Sequence, residues 1–371
     1  MQLIKIKRGV VTIGDVLPWA VYDEAGTLLL TKGYTIPNDR QLMVVLNNGY
    51  YWDEIEEGFM RKVHPFEKTK ELQVRLNRVI ERFRDGTDRE SAVKELDEVV
   101  NILMLLCNNS SDVMIGAVHL FNDRPYSITH LLHIAIVTAL LVNELNLPPH
   151  TRKMAVAAAL TCNLSMMSLH ELLEQQKTPL TDAQRDDLRL HPQESVDILK
   201  SFAVTDEIWL QSVLHHHESV DGSGYPHGLT GDSIPVTARV IAVADSYCAL
   251  VTNKNYRKGY TPSTVLKHFF KQKGQKLDEE LSLRLIKMFG IYPPGTYVKL
   301  ANGESAIVIQ RSGNANAISP LVRSYRSSTG PYLAELLSHD SSEPKYKIKE
   351  VMIPESHPHE YDDIWELDAQ G

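Results

Sequence analysis

From about residue 66 to about residue 290, apolar residues recur at helical spacing, and this constrains the fold more than any other feature of the chain. Leu72, Val74, Leu76, Val79 and Ile80 mark one amphipathic helix. Ala92, Leu96, Val99, Val100, Leu103 and Leu106 follow the i, i+3, i+4, i+7 pattern of a second. Further helices are predicted over 126–146, 150–163, 182–200, 206–217, 235–253 and 277–289. A domain of this length can bury a sizeable core. Its one Gly-rich interruption runs from Asp221 to Leu229.

The flanks read differently. Residues 1–60 predict a small β-rich module, with apolar runs at Leu3–Ile6 and Val10–Ile13. A hairpin is expected where Ala20–Asp23 and Thr27–Thr31 flank Glu24-Ala25-Gly26. A short helix over Gln41–Leu46 should end at Asn47-Asn48-Gly49, residues that tolerate the left-handed region. After residue 290, Pro293-Pro294-Gly295 resets the chain. Alternating strands Thr296–Leu300 and Ser305–Gln310 flank Asn302-Gly303, a strong hairpin signal. With Tyr346–Met352 as a later strand, 291–355 reads as a small β-barrel or sandwich. The acidic tail, including Glu360, Asp362, Asp363 and Glu366, is expected to be loosely held. The expected architecture is therefore mainly α: a helical bundle over 61–290 between small β-rich modules at 1–60 and 291–371.

Composition narrows the function. With 43% hydrophobic and 23% charged residues the chain has ordinary globular usage, which excludes a disordered or fibrous protein. Lys and Arg total 39 against 47 Asp and Glu, a net charge of −8, and no dense basic run occurs. Such a chain is a poor binder of nucleic acid polymers, although a local basic pocket for a phosphate ligand is compatible with it. Cys107, Cys162 and Cys248 are too few and scattered for a disulfide framework, which suits a reducing compartment. The N-terminus lacks a signal-peptide core. Asn143, Glu144 and Asn146 interrupt the most apolar stretch, Ile134–Leu147, short of a membrane span. A cytoplasmic protein without a membrane partner is expected.

Histidine carries the chemical information. His130, His133 and His191 fall where helices meet loops, as does the triplet His215-His216-His217 before Glu218. Adjacent helical side chains point about 100° apart, so at most two of the triplet can face one centre, with His215 as the outsider. Asp245 shares a helix face with Ile241 and Cys248, so its carboxylate is partly buried and needs a cation, a metal or strong donors. Imidazole and carboxylate together suit a first-row metal.

The string from His216-His217-Glu218 through Gly224-Tyr225-Pro226-His227-Gly228-Leu229 to Pro235 closely resembles the signature of HD-GYP domains. The likeness continues through Ala238–Asp245 to Asn255-Tyr256-Arg257. Upstream, Tyr126–His130 is similar to that family's opening helix, and Arg189–Pro192 to its middle histidine segment. The resemblance covers roughly 126–270. It implies a helical HD-domain bundle and a bacterial role in hydrolysing cyclic di-GMP with two or three metals, often iron. Two or three cations held by His and Asp can activate a bridging hydroxide and stabilise the phosphoryl oxygens. By this resemblance, metal-ligand roles fall on His130, His191, His216, His217 and Asp245. Gly224, Tyr225 and Pro226 would pack on the guanine or ribose, and Lys254 and Arg257 would contact the phosphates.

The namesake pair departs from the pattern. Where the family reads Ala-Ala-Leu-Leu-His-Asp-Ile-Gly-Lys, this chain reads Ala158-Ala159-Leu160-Thr161-Cys162-Asn163-Leu164-Ser165-Met166. Cys162 stands at the histidine, Asn163 at the metal-bridging aspartate and Met166 at the lysine. A one-residue slip puts Thr161-Cys162 there and does not restore the pair. A neutral amide is a poor bridge between cations, so no catalytic residue is assigned at these degenerate positions. The expectation is a degenerate HD-GYP protein that binds cyclic di-GMP or a protein partner, with little or no phosphodiesterase activity. Its surviving ligands would hold one transition metal (Fe, Mn or Zn) rather than a full cluster. The alternative is a metal-dependent phosphodiesterase with an altered centre that uses Cys162. A scaffold that no longer binds nucleotide is the third reading. Sequence alone leaves the oligomeric state, the pathway and the role of the flanking modules open.

Overall fold

Side-chain caps set several helix starts in the computed structural model of this chain, which describes residues 3–6, 13–14, 17, 20–31, 33–52, 65–253, 258–272, 274–312, 319–353 and 359–365. The chain divides into two units, one of residues 1–64 with 148–150 and the other of 65–147 with 151–371.

In the first unit, strands β1 (Leu3–Lys5), β2 (Val21–Tyr22), β3 (Leu28–Leu30) and β4 (Tyr50–Trp52) form an antiparallel sheet in the order β1-β4-β2-β3. Helix α1 (Asp39–Asn48) starts where the Asn38 side chain accepts from the Gln41 backbone N–H. It stops at Gly49, where a Cβ would stand 2.2 Å from the Val45 carbonyl oxygen. Ile6, Leu17, Val21, Ile36 and Val45 form the core. Of the expected strand Val10–Ile13, residues 10–12 lie outside the described residues.

The second unit is predominantly helical. It contains α2 (Pro65–Asp85), α3 (Arg89–Asn109), α4 (Ser111–Leu120), α5 (Tyr126–Glu144), α6 (Pro149–Thr161, whose first two residues count with the first unit), α7 (Met167–Gln175), α8 (Asp182–Ser201), α9 (Glu207–His215), α10 (Val236–Val251), α11 (Pro262–Gln272) and α12 (Glu279–Phe289). A Thr181–Gln184 capping box opens α8, and the Asp206 and Asp278 side chains cap α9 and α12. Helix α5 is long and apolar enough to cross a membrane by length and composition, yet every residue from Tyr126 to Val142 is buried. It packs against α10, α3, α4 and α12, so its all-round apolarity is that of a central core helix.

Strands β5 (Tyr297–Leu300), β6 (Ser305–Gln310), β7 (Leu321–Arg326), β8 (Tyr332–Asp340) and β9 (Ile348–Val351) form one antiparallel sheet in the order β8-β7-β6-β5-β9. This is a single sheet, where a barrel or sandwich was expected. It belongs to the same compact unit as the helices. Arg311 donates to Asp112 and Ser111 at the start of α4 and to the Met288 carbonyl in α12. The tail also departs from expectation. The short helix α13 (Tyr361–Ile364) leads into Ile364 and Trp365, both buried, while Glu366 lies outside the described residues.

His119, on α4, ties this sheet to the helices. Its Nδ1 donates to the Pro294 carbonyl at 2.6 Å, and its Nε2 accepts from the Tyr247 hydroxyl at 2.7 Å. Burial pulls its pKa from 6.5 to about 4, so the folded state keeps the ring neutral. Below pH 6.5 the unfolded chain takes up a proton that the folded chain refuses until about pH 4. Stability should therefore fall as pH drops through that window, by about 1–2 kcal/mol at pH 5 from this residue. Urea unfolding at pH 7.5 and pH 5 should show a smaller drop in His119→Gln than in the parent.

Candidate functional site

A proline sets the first part of the site. Pro192, inside α8, has no N–H to offer the Leu188 carbonyl one turn back. The His191 Nδ1–H takes that place at 2.7 Å, which leaves the Nε2 lone pair of His191 free. At the open carbonyl end of α9, the His216 Nδ1–H donates to the Val213 carbonyl at 2.6 Å. Its Nε2 lone pair is thereby also committed to face outward. The two Nε2 atoms lie 3.3 Å apart, with no proton left for either to share. Two lone pairs at that distance repel unless a cation sits with them. His217 completes the group, its ligand atom and those of His191 and His216 lying within 4.8 Å of one another.

Electrostatics keep these rings neutral and ready to ligate. Burial lowers the His191 pKa to about 3, with His216 adding to the effect. Burial likewise lowers His216, and it holds His217 well below the ordinary imidazole range. Asp245, from α10, stands beside them. Burial alone would raise its pKa, but the hydrogen bond from His130 Nε2 at 2.8 Å and the neighbouring imidazoles bring it below the usual carboxylate range. All five residues proposed as ligands from sequence thus meet in one cluster. Three present free nitrogens to one another, while His130 spends its Nε2 on Asp245.

Of the degenerate positions, Cys162 comes close enough to the cluster for the Asp245 charge to act on it. Cys162 is fully buried and its thiol donates to the Ala159 carbonyl at 3.5 Å. Burial, then the nearby Asp245 charge, pushes its pKa well above the ordinary thiol value, which keeps it a neutral thiol. Asn163 is 4% exposed, and its amide oxygen has no hydrogen-bond partner. Such an orphaned buried acceptor is costly unless a donor or cation meets it. Met166 and His170 line a cavity of about 520 Å³, so a thioether faces the space where the resemblance puts a lysine.

A second cavity, of about 400 Å³, opens beside His216, His217 and Asp245, and is also lined by His268, Phe269 and Lys276. That volume falls in the range of small-molecule sites. His268 and Lys276 were not singled out from sequence, because no motif marks them. The only cue was the recurrence of lysine at Lys271, Lys273 and Lys276. The Val220 N–H bonds to the Lys276 carbonyl at 2.9 Å and holds this segment against the Gly-rich loop. Lys254 and Arg257, expected to meet phosphates, lie outside the described residues.

The loop itself is tightly built. A Cβ on Gly224 would meet the Ser219 nitrogen at 2.2 Å and the Glu218 Cα at 2.5 Å, so only glycine permits this approach. Tyr225 does not line the 400 Å³ cavity. Its ring stacks on His217, centroids 4.9 Å apart and 29° between planes, and so covers the histidine group instead. Pro226 follows it on the exposed rim of the loop.

Residues 117–281 match the family model described as HD domain. The cyclic di-GMP phosphodiesterase PA4108 of Pseudomonas aeruginosa is 26% identical over 64% of this chain and 57% of its own length. PdeB of Borreliella burgdorferi, also named a cyclic di-GMP phosphodiesterase, is 26% identical over 50% of this chain and 48% of its own. The response regulator RpfG of Xanthomonas campestris, of the same printed activity, is 29% identical over 38% of each. The chain spans about half the length of the curated relatives it matches. Among solved structures, Bd1817, an HDG"Y"P protein of Bdellovibrio bacteriovorus, superposes with a TM-score of 0.51 at 14% identity. It covers 76% of this chain and 98% of its own, and shows the shared fold.

Proposed function

We propose that this chain, a member of the HD-GYP family of HD domains, binds cyclic di-GMP and transmits that binding with little or no phosphodiesterase activity. The observation that carries the second half is Asn163. At the position of the metal-bridging aspartate stands a buried neutral amide with an unpartnered oxygen. An amide oxygen can meet one cation but cannot neutralise two. The residues therefore fit a single transition metal, held by His191, His216 and His217 with Asp245 alongside. Bound there, the metal would supply a Lewis acid at the cavity wall. The chain's own residues do the rest: the Leu188 and Val213 carbonyls orient the imidazoles, His130 holds Asp245, and Tyr225 shields the group from water.

The relatives' printed substrate and the cavity support the first half. Lys276 and His268 line the cavity's polar side and Phe269 offers an apolar face, which suits a phosphate-bearing purine dinucleotide. Cys162 is a weak candidate for an altered hydrolytic centre, because its thiol is turned onto the Ala159 carbonyl and is not one of the three residues whose ligand atoms converge. The protein's location in the cytoplasm is part of this proposal, as the three buried free cysteines suit a reducing compartment.

Calorimetry of the full chain with cyclic di-GMP tests the reading, alongside a turnover assay with iron or manganese. Binding is expected, about tenfold weaker in Lys276→Ala, with product at background level. Enzyme-like turnover would overturn the receptor assignment, and turnover abolished in Cys162→Ala would establish the altered centre. Absence of binding would leave a scaffold that takes a protein partner.

A further inference from the structure

We infer that His215, His227 and Glu218 form a second cation site, built for zinc, which staples the two ends of the Gly-rich loop together. His215 is the last residue of α9 and turns away from the three-histidine group. Its Nδ1 donates to the Gln211 carbonyl at 3.1 Å, so its Nε2 carries a lone pair. That lone pair meets His227 Nδ1 at 3.1 Å across the loop.

Glu218 supplies the negative charge. Its two oxygens accept from the His227 N–H at 2.7 Å and the Leu229 N–H at 2.9 Å, which fixes the carboxylate in place. It is 4% exposed, and no described lysine or arginine pairs with it. One ligand atom from each of the three residues lies within 4.8 Å of the others. Two imidazole nitrogens and a carboxylate oxygen are a zinc donor set, with the fourth position left to water. Two Zn–N bonds of about 2.1 Å at a tetrahedral angle place their nitrogens about 3.4 Å apart, so 3.1 Å needs an adjustment of only tenths of an ångström. His227 is exposed, which gives the ion and its water a way in.

The consequence is mechanical. His227 follows Tyr225 by two residues, and Tyr225 stacks on His217. A cation that ties His227 to the end of α9 holds the Tyr225 ring over the three-histidine group. Without it the two rings share one N–H···N hydrogen bond, and the rest of the loop is held by backbone contacts, the Glu218 carboxylate, the Asp221–Ser223 turn and the stacking of Tyr225.

Zinc titration of the chelator-treated full chain, read by competition with a chromophoric chelator, tests the site independently of any nucleotide. The parent should bind one equivalent more than His227→Gln, a surface change that leaves the core intact. His215→Ala should lose the same equivalent, and His191→Ala, which breaks the other group, should keep it. Zinc should slow hydrogen exchange over 221–230 in the parent but not in His227→Gln. Equal zinc stoichiometry and affinity in the parent and His227→Gln would overturn the proposal and leave an ordinary histidine–histidine hydrogen bond.

Discussion

The double variant Cys162→His/Asn163→Asp is expected to hydrolyse cyclic di-GMP at least 100-fold faster than the parent when supplied with manganese or iron. The argument rests on what the two positions now contribute. Cys162 lies near Asp245, as the influence of that charge on the buried thiol shows, and Asn163 follows it in the chain. Replacing the amide of Asn163 with an isosteric carboxylate turns its orphaned oxygen into a charge that demands a cation. Replacing Cys162 adds a nitrogen donor at a fully buried position, with an overpacking cost of about 1–3 kcal/mol. Metal binding should offset that cost, so the variant's Tm should rise with added manganese far more than the parent's does. Manganese content should increase by one equivalent per chain. Added metal without turnover would show that the missing bridge is not what silences this protein. Met166→Lys, which restores a cation to the 520 Å³ cavity, should raise turnover further.

The sequence was most legible where burial is one-sided. Amphipathic helices such as α2 and α3 declared themselves through spacing. Helix α4 did not, because Val113 to Val118 are all buried and leave no polar face to set a period. Strand β8 escaped for the opposite reason: at the sheet edge it buries neither face, so its hydrophobicity does not alternate. In the site, the histidine segments could be read because their order along the chain is itself the signal. The tautomers could also have been read, since a proline directly after His191 frees the carbonyl that its Nδ1 takes. The meeting of His215 with His227, the packing of Tyr225 on His217, and Lys276 at the cavity were not legible. Each depends on how a twelve-residue loop closes back on its helix, which local spacing does not encode.

The same limit applies to the acidic tail, where Trp365→Ala is expected to destabilise the second unit by about 3–5 kcal/mol. Charge alone suggested a loose end, yet Trp365 sits between three elements. Its ring lies over Gly116, where a Cβ would come within 2.3 Å of it. It stacks on Phe66 with centroids 6.2 Å apart and 15° between planes, and its Nε1 donates to the Ile309 carbonyl at 2.8 Å. Phe66 belongs to α2, Gly116 to α4 and Ile309 to β6, so one side chain joins the helices to the sheet. Arg323 adds a hydrogen bond to the Asp363 carbonyl at 2.9 Å. Truncating the indole leaves a cavity among all three and an unpaired carbonyl on β6. Urea unfolding should report the loss directly, with a Tm decrease on the order of 10 °C for a unit of this size. Gly116→Ala should expel the same ring from the opposite side, and limited proteolysis should then release the tail in both variants. Because both act on one contact, the double variant should cost little more than Trp365→Ala alone. A tail held only by its own short helix predicts the reverse: unchanged unfolding in both variants and rapid cleavage in the parent.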